Sequence, residues 1–262
     1  MDKYKLRTLA NNLLGGRLLI IYRILNKHIT DIIEGRKITY NPNTDIGKNL
    51  FFKGEFEKKE LELCKKYIKT DAIVLDIGAN IGLHSIYFSR VANKGLVFSF
   101  EPSLDTYSLL LNNIRNIDNI LPLNIAISDS NKIAELYEAS DSAYSSLKDT
   151  KRKVIKNRLK IICCKLDDFI SSFNLSHIDF VKIDVEGLEQ DVLEGMLWIM
   201  NKYHPAIFCE IYQGSNSNEN PEETIRFVID REYNAFVFNG NDLIKYQKHD
   251  DRFYNYLFLP KK

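Results

Sequence analysis

The sequence predicts an α/β fold with a central sheet of about seven mostly parallel strands and helices on both faces. Two observations support this prediction. From residue 56 onward, short apolar and β-branched runs alternate with amphipathic helical runs, as in repeated strand–helix–strand units. One predicted strand, Ala72–Asp76, leads directly into a glycine-containing loop and then into the helical run Leu83–Arg90. A strand, a tight turn and a helix N-terminus in this order present backbone N–H groups to a nucleotide-like ligand.

The first 55 residues are predicted to form a helical and hairpin extension, and residues 56–262 the main domain. Leu13–Ile33 is rich in Leu and Ile, but basic residues interrupt it, so the pattern predicts a basic amphipathic helix rather than a membrane span. We expect this helix to pack on its own domain or on a second subunit, as in a homodimer; peripheral contact with a membrane is the alternative. Lys37–Phe52 is predicted to be a hairpin that turns at 41–44.

The elements of the main domain follow from periodicity and from turn residues. Phe56–Lys69 is predicted to be helical because Leu61, Cys64 and Ile68 recur on one face. Farther along, apolar runs bounded by polar residues predict strands, and a helix is expected to begin at Ser103, a residue type that caps helix N-termini. The predicted strands are 96–100, 120–127, 134–139, 159–166, 178–184, 206–212, 235–239 and 254–259; the predicted helices are 103–115, 167–173, 187–200 and 222–232; and 214–220 is predicted to be a polar loop.

The composition excludes several classes of protein. The 262 residues suffice for one large α/β domain with a sizeable core. The 36 Lys and Arg residues nearly balance the 35 Asp and Glu residues, and no basic stripe with interleaved aromatic residues occurs, so nucleic acid is not an expected partner. The 4 cysteines lack metal-ligand spacing, which favours reduced core thiols in a cytoplasmic protein. No metal centre is expected; a divalent metal held near the acceptor by the acidic side chains is the alternative. The charged first residues are not typical of a secretion signal.

The loop after the first strand of the main domain matches neither common phosphate-binding loop. Its spacing, Gly78-x-Asn80-x-Gly82, lacks the middle glycine of a dinucleotide fingerprint and the lysine of a P-loop. Asp76 precedes the loop, where a carboxylate would repel phosphate but would suit a cationic ligand with a free amino group. Glu101 ends the next strand and can accept hydrogen bonds from both hydroxyls of a ribose. S-adenosylmethionine combines these groups and is the expected ligand; a purely structural glycine turn is the alternative.

Acidic or polar residues follow five of the predicted strands, at the end where open α/β sheets bind ligands. These residues are Asp76, Glu101, the run 126–129, Asp184 and Glu210. Glu186 and Glu189 come soon after Asp184, in the first turn of a predicted helix, where helix N–H groups stabilise carboxylates. For these two residues an ordinary acidic first turn is the alternative, with Glu189 in a capping box.

Two motifs together, VLDIGANIG at 74–82 and IDVEGLEQDVLEG at 183–195, resemble the FkbM family of S-adenosylmethionine-dependent methyltransferases. Further matching elements are Phe100-Glu101-Pro102, Asn124-x-Ala126-x-Ser128-Asp129, the serine-rich segment with Ser142, Ser145 and Ser146, and the strand-end Glu210. The resemblance covers residues 56–212 and implies a class I methyltransferase fold with a Rossmann-like sheet. It leaves out both flanks, which usually determine acceptor specificity in such enzymes.

The resemblance and the strand-end positions together imply a set of site residues. Expected donor-binding residues are Asp76, Gly78, Ala79, Asn80, Gly82, Glu101, Pro102, Ala126, Ile127, Asp129, Ser145, Ser146 and Asp184. Tyr144, Glu186 and Glu189 are expected to contact the acceptor. Asp184 is the first candidate to remove the proton of the acceptor hydroxyl, with Glu210 and His84 as alternatives.

The resemblance also implies a reaction. We expect methyl transfer from S-adenosylmethionine, which leaves S-adenosylhomocysteine, to an oxygen of a sugar or of a sugar-linked group such as a phosphate-type substituent, in bacterial surface polysaccharide biosynthesis. The expected acceptor is a carbohydrate, a nucleotide sugar or a sugar phosphate. Methylation of a small natural product and a non-catalytic scaffold that binds the cofactor in glycan assembly are the alternatives. The loop spacing argues against a nicotinamide oxidoreductase.

Overall fold

The structure is a computed structural model that describes residues 3–25, 28–212 and 220–261. The α-helices are α1 (Lys3–Leu13), α2 (Leu18–Leu25), α3 (Asp45–Lys53), α4 (Lys58–Cys64), α5 (Leu83–Val91), α6 (Leu104–Asn113), α7 (Leu166–Ser171), α8 (Glu189–Glu194), α9 (Leu197–Tyr203) and α10 (Pro221–Ile229). The strands are β1 (Ile29–Ile33), β2 (Arg36–Tyr40), β3 (Ile73–Ile77), β4 (Leu96–Phe100), β5 (Ile120–Leu123), β6 (Ala126–Ile127), β7 (Lys132–Ala139), β8 (Ile155–Cys164), β9 (Phe180–Ile183), β10 (Ala206–Glu210), β11 (Tyr233–Phe238), β12 (Leu243–Lys245) and β13 (Asn255–Pro260). Except for Asn220, the predicted polar loop 214–220 lies outside the described residues.

Eight strands form the central sheet of the described chain, in the order β12-β11-β13-β10-β9-β3-β4-β5. Strands β10, β9, β3, β4 and β5 pair in parallel, whereas β13 pairs antiparallel with both β10 and β11. The edge strand β12 runs antiparallel to β11. Six strands therefore run in one direction and two in the other, which confirms the predicted α/β class and the mostly parallel sheet.

Helices cover both faces of this sheet. Successive residues of a strand point to opposite faces, so Val74 packs in one buried cluster with α4, α5 and α6, whereas Leu75 packs in a second cluster with α7, α8, α9 and α10. Strand β9 is buried at all four of its positions, as expected of a parallel strand that is covered on both faces. The carboxyl ends of the parallel strands consequently form one edge between two helical layers.

The predicted long helix Leu13–Ile33 is wrong. Helix α1 ends at Leu13, and Gly15 and Gly16 both adopt a left-handed backbone, with φ of 59° and 81°. Residues with φ in this range cannot continue a right-handed helix, so a second short helix, α2, starts at Leu18. The last five residues of the predicted helix form strand β1.

The predicted hairpin Lys37–Phe52 is also wrong, because the hairpin of this region lies earlier in the chain. Strands β1 and β2 pair antiparallel around Glu34 and Gly35, whose φ values of 47° and 80° suit a two-residue turn. Residues 45–53 instead form α3. Thr44 caps this helix by accepting a hydrogen bond from the Gly47 N–H at 2.9 Å, and Gly54 ends it at a φ of 71°.

The N-terminal elements pack on the main sheet. Tyr40 and Phe51, both fully buried, belong to the same core cluster as Val74. Helix α1 has no buried residue, but its Arg7 and Lys3 both pair with Asp31 of β1. The opposite side of α1 exposes leucines at positions 6, 9 and 13, and contact of this side with a second subunit or a membrane stays a prediction. Within the described residues, no helix is both long and apolar enough to cross a membrane.

Three further elements differ from the sequence-based expectation. The predicted strand 120–127 divides into β5, in the central sheet, and β6, in a separate small sheet. The predicted helix 187–200 divides into α8 and α9 at Gly195, where an added Cβ would lie 2.1 Å from the backbone oxygen of Ser128. The short edge strand β12 was not predicted.

A second sheet extends from the carboxyl edge of the central one. It contains β6, β8 and β7 in that order, with β7 and β8 pairing antiparallel over most of their length. The loop that joins them, residues 140–154, includes the single-turn helix Ser142–Tyr144. Ser146 in this loop donates a hydrogen bond of 3.0 Å to the Glu186 carbonyl, which lies just beyond β9. The β7–β8 hairpin thus brings a loop back over the edge where the parallel strands end.

Candidate functional site

A cavity of about 590 Å³ lies at the carboxyl ends of β3, β4, β9 and β10. Its size is in the range of ligand pockets, and its position is the usual ligand site of open α/β sheets. The sequence-predicted residues that line it are Gly78, Ala79, Asn80, His84, Glu101, Pro102, Ala126, Ile127, Tyr144, Ser145, Ser146, Asp184, Glu186 and Glu210. Residues from six different segments of the chain therefore meet in one place.

The glycine loop is held tightly between two strand ends. Gly78 and Ala79 donate backbone hydrogen bonds of 3.0 and 2.9 Å to the Phe100 carbonyl at the end of β4. On the other side, a Cβ added to Gly78 would lie 1.8 Å from the backbone oxygen of Asp184, and the φ of Gly78 is 80°. Asn80 has a φ of 50°, the left-handed conformation that asparagine tolerates. The loop can therefore approach β9 only because position 78 lacks a side chain.

Glu101 forms one end of the cavity. Its two carboxylate oxygens accept hydrogen bonds from the backbone N–H groups of Asn80, at 3.0 Å, and Ser103, at 2.9 Å. Burial raises the pKa of Glu101 to about 7, although these two hydrogen bonds oppose the change. Ser103 occupies the N-cap position of α6 as predicted, but its hydroxyl donates to Glu138 rather than capping the helix.

Asp76 does not line the cavity, contrary to the expectation that it would face a cationic ligand. It is fully buried, and Ser85 donates a hydrogen bond to its Oδ2. The ammonium of Lys182 lies 3.8 Å from Asp76 Oδ1 and 3.0 Å from Asp184 Oδ2. Asp76 therefore acts on the site through Lys182, a buried lysine that sequence reasoning missed. A lone lysine in an otherwise apolar strand, flanked by acidic strand ends, was the available signal.

Three more of the predicted residues lie off the cavity wall. Gly82 packs against Leu110, 2.4 Å from where its Cβ would be. Asp129 accepts a hydrogen bond from Lys132 at 2.8 Å near the surface. Glu189 is buried and accepts a hydrogen bond from the Gly187 N–H at 2.9 Å, so it orders its own helix start instead of reaching an acceptor.

Three carboxylates crowd the side of the cavity opposite Glu101. Asp184 keeps its ion pair with Lys182. Burial, followed by the negative charge of Asp184, raises the pKa of Glu210 well above its ordinary value. Burial and Asp184 likewise raise the pKa of Glu186 to about 8, against the opposing charge of Arg152. Burial and the charge of Asp184 therefore both favour the protonated form of Glu210.

The loop 140–154 is attached across the cavity by side-chain contacts. Arg152 pairs with Glu186, and its guanidinium carbon lies 4.3 Å from the ring centre of Tyr144 and 5.1 Å from that of Tyr212. The hydroxyl of Tyr144 donates a hydrogen bond of 2.9 Å to Asp45 at the start of α3. Two tyrosine rings consequently form part of the wall, and sequence reasoning assigned no role to Tyr212.

His84 lines the same cavity beside a residue that the sequence did not single out. Its Nε2 lies 3.1 Å from Glu57 Oε2, and its ring is buried next to Phe56 and Phe88. Glu57, which precedes α4, also lines the cavity. In the described part of the chain, no group of three or more His, Cys, Asp and Glu side chains is placed to hold a metal ion.

A family model of the methyltransferase FkbM domain matches residues 76–238, well over half of the chain. The chain belongs to the FkbM methyltransferase family. The match includes the glycine loop, Glu101, Asp184 and Glu210, but it begins after Glu57.

Two relatives of this FkbM protein have names that specify the acceptor or the oxygen that is methylated. Hexuronic acid methyltransferase AglP of Haloferax volcanii is 31% identical over 159 residues, which are 60% of this chain and 63% of AglP. The chain thus spans less than two thirds of the length of that relative. The 2-O-methyltransferase NoeI of Sinorhizobium fredii is 28% identical over 164 residues, which are 56% of this chain and 68% of NoeI.

A solved structure supports the fold. The crystal structure of methyltransferase FkbM from Methylobacillus flagellatus KT matches with a TM-score of 0.50 at 17% identity. The match covers 73% of this chain and 44% of that chain. Because the identity is low, this likeness concerns the fold alone.

Proposed function

We propose that this FkbM protein transfers a methyl group from S-adenosylmethionine to an oxygen of a sugar or of a sugar-linked group. The main support is the cavity, where a buried carboxylate suited to a ribose and a cluster of carboxylates suited to a cation lie on opposite sides of a glycine loop. Family membership supports the methyl-transfer chemistry. The relatives named hexuronic acid methyltransferase and 2-O-methyltransferase support a sugar acceptor.

The residues of the cavity fit the donor. Glu101 would accept hydrogen bonds from the ribose hydroxyls, because each of its carboxylate oxygens keeps a lone pair after accepting one backbone hydrogen bond. Ala126 and Ile127 offer apolar contacts on the same side for an adenine ring. The bare backbone at Gly78 allows close approach of a ligand, and Asp184 offers a negative charge on the far side. The bound donor supplies a methyl group that its sulfonium has already activated.

The acceptor side of the cavity has the character of a sugar site. Tyr144 and Tyr212 present aromatic rings with polar ends, a combination suited to surfaces that are partly apolar and partly hydroxylated. Glu186 lies nearby and can hydrogen-bond to sugar hydroxyls. These residues would orient one acceptor oxygen for in-line attack, which is the main requirement of methyl transfer.

Asp184 is the residue that we propose to accept the proton of the attacking hydroxyl. Its carboxylate lies 3.0 Å from the ammonium of Lys182 and lines the cavity. Glu210 and His84 are the alternatives, but burial and the charge of Asp184 raise the pKa of Glu210, which favours its protonated form over the ionised form that a base requires. A correctly placed general base contributes roughly 10²- to 10⁴-fold to the rate.

Binding and turnover measurements test this proposal in two steps. Calorimetry is expected to detect S-adenosylmethionine and S-adenosylhomocysteine but not NAD, and binding of NAD alone would overturn the proposal. Radiolabelled methyl donor is then incubated with p-nitrophenyl glycosides of neutral hexoses, hexuronic acids and amino sugars. Label is expected in at least one glycoside as an alkali-stable methyl ether. The variant Asp184→Asn is expected to bind the donor but to lose roughly 10²-fold or more of its turnover rate. Unchanged turnover would exclude Asp184 as the base.

A further inference from the structure

Glu57 adopts a backbone conformation that its own helix does not require. It occupies the N-cap position of α4 with a φ of 44° and a ψ of 41°, in the left-handed region that non-glycine residues rarely adopt. Its side chain makes no capping hydrogen bond. It lines the cavity instead, with its carboxylate 3.1 Å from His84 Nε2. Strained conformations of this kind are concentrated at functional sites.

His84 lies where α5 begins and where that helix has free donors. It is 5% exposed, and its Nε2 makes no hydrogen bond of acceptable geometry with any described residue. The backbone N–H groups of Leu83, His84 and Ser85 likewise donate no hydrogen bond, since Ile86 is the first residue of α5 to donate to the residue four positions earlier. A helix start with free N–H groups attracts a carboxylate.

The position of Glu57 and His84 relative to Glu101 indicates which part of a ligand they can bind. Glu101 ends β4, on one side of the glycine loop, whereas Asp184 and Glu210 end β9 and β10, on the other side. Glu57 belongs to the second side, because its charge acts on both Lys182 and Glu210. A donor whose ribose is held at Glu101 would therefore extend past the loop toward Glu57 and His84.

We propose that Glu57 and His84 bind the amino-acid end of the methyl donor. Glu57 would accept hydrogen bonds from its ammonium group, and His84, with the free N–H groups of α5, would bind its carboxylate. This inference rests on the proposed function, because it assumes S-adenosylmethionine as the donor. It replaces Asp76, which is buried away from the cavity, by Glu57 as the carboxylate that recognises the amino group.

Two ligands that differ at this end provide the test. S-adenosylhomocysteine has the ammonium and the carboxylate, and 5′-methylthioadenosine lacks both while keeping the adenine, the ribose and the sulfur. In Glu57→Gln, calorimetry is expected to show about 10- to 100-fold weaker binding of S-adenosylhomocysteine, the value of one charge-assisted hydrogen bond, with binding of 5′-methylthioadenosine unchanged within a factor of about two. His84→Gln is expected to act in the same direction.

A matched control is Glu55→Gln, since Glu55 is exposed two residues away and pairs only with the surface Lys58 among the described residues. It is expected to leave the binding of both ligands unchanged. If Glu57→Gln weakened the binding of both ligands equally, Glu57 would have a purely structural role and the inference would be overturned. Unchanged affinity for S-adenosylhomocysteine would also overturn it, including the case in which only methyl transfer is lost. If the unmodified protein binds neither ligand, the proposed function fails, and the inference fails with it.

Discussion

Lys182 determines the charge balance beneath the candidate site. Its side chain is 4% exposed, and it lies between two carboxylates, Asp184 and Asp76. Burial alone would lower the pKa of Lys182, but the negative charges of these two residues raise it above its ordinary value. The lysine therefore stays charged, and it also donates a hydrogen bond of 3.3 Å to the Gly78 carbonyl of the glycine loop.

We expect Lys182→Met to destabilise the protein by about 3–5 kcal/mol, because it leaves the fully buried Asp76 and the partly exposed Asp184 without a counter-charge. Urea unfolding at pH 7 measures this free energy. Lys160→Met is the control: Lys160 is exposed on β8, and its replacement is expected to change the free energy of unfolding by less than about 0.5 kcal/mol. Similar losses in the two variants would contradict the buried ion-pair assignment.

The interactions of Asp31 are expected to make the free energy of unfolding depend on pH. Burial raises the pKa of Asp31, but hydrogen bonds from Arg7, Tyr40 and Lys3 outweigh it and hold the pKa below its ordinary value. A carboxylate with a lowered folded-state pKa stabilises the protein above its unfolded pKa of about 3.9 and loses this contribution as the pH falls through the folded-state value. Asp31→Asn is expected to cost about 3 kcal/mol at pH 7 and progressively less toward pH 2.

Urea unfolding of the Asp31→Asn variant at a series of pH values tests this prediction. The difference from the unmodified protein should shrink only below the unfolded pKa of Asp31. Asp230→Asn is a suitable comparison, because no ion pair of Asp230 occurs among the described residues. A difference that is constant from pH 7 to pH 2 would show that Asp31 acts through its shape rather than through its charge.

Individual residues of the site were predictable to the extent that they follow strands. Glu101, Asp184 and Glu210 line the cavity because parallel strands end at one edge, and this could be inferred from the order of the elements. Asp76 was expected to line it too, but whether a strand-end side chain faces the cavity depends on the pleat, which residue type does not reveal. Glu57 reaches the cavity through a left-handed backbone that no local pattern indicates.

At the level of elements, prediction worked where periodicity was strong. The parallel strands and helices α5 and α6 were found within a few residues of their observed bounds. Prediction failed in the N-terminal region because Gly, Asn and Thr occur both in turns and at helix ends. The segment 41–44 was read as a hairpin turn, yet Thr44 caps α3, and the hairpin turns at Glu34 and Gly35. Tertiary packing decides between these uses, and one sequence does not contain that information.

The glycine loop gives a prediction at this scale. We expect Gly78→Ala to destabilise the protein by about 2 kcal/mol or more and to weaken S-adenosylhomocysteine binding, because the new Cβ would meet the Asp184 carbonyl 1.8 Å away. Gly240→Ala separates this clash from backbone strain. Gly240 has a similar φ, +88° against +80°, but no atom lies within 4 Å of its added Cβ. Thermal unfolding and calorimetry of both variants measure the two effects.

The two glycine variants can be distinguished by binding as well as by stability. Gly240→Ala is expected to lose about 1 kcal/mol from strain alone and to bind S-adenosylhomocysteine normally, since Gly240 lies between β11 and β12 and away from the cavity. If Gly78→Ala were no worse than Gly240→Ala in either measurement, the close approach of the loop to β9 would not matter for the site.

At the scale of the whole molecule, the hydrophobic core is continuous across residue 55, where the sequence predicted a domain boundary. One buried cluster contains Leu50 and Phe51 from before that boundary together with Leu61, Val74 and Leu110 from after it. A chain with such a shared core is expected to unfold as one unit, because neither part can lose its partner without exposing apolar surface to water. The extension would then be part of the methyltransferase domain in the thermodynamic sense, whatever its role in acceptor choice.

Phe51→Ala tests this continuity. Phe51 is fully buried and packs edge-on against Tyr22 and Phe52, so its removal is expected to cost about 3–5 kcal/mol. If the core is shared, scanning calorimetry should show a single transition in both proteins, shifted as a whole to lower temperature in the variant, with equal calorimetric and van't Hoff enthalpies. Trp198 lies in α9 on the far face of the sheet. The unfolding temperature reported by its fluorescence should decrease by the same amount. Two transitions, of which only one moves while Trp198 reports the unshifted one, would instead establish the extension as an independent unit and support the boundary at residue 55.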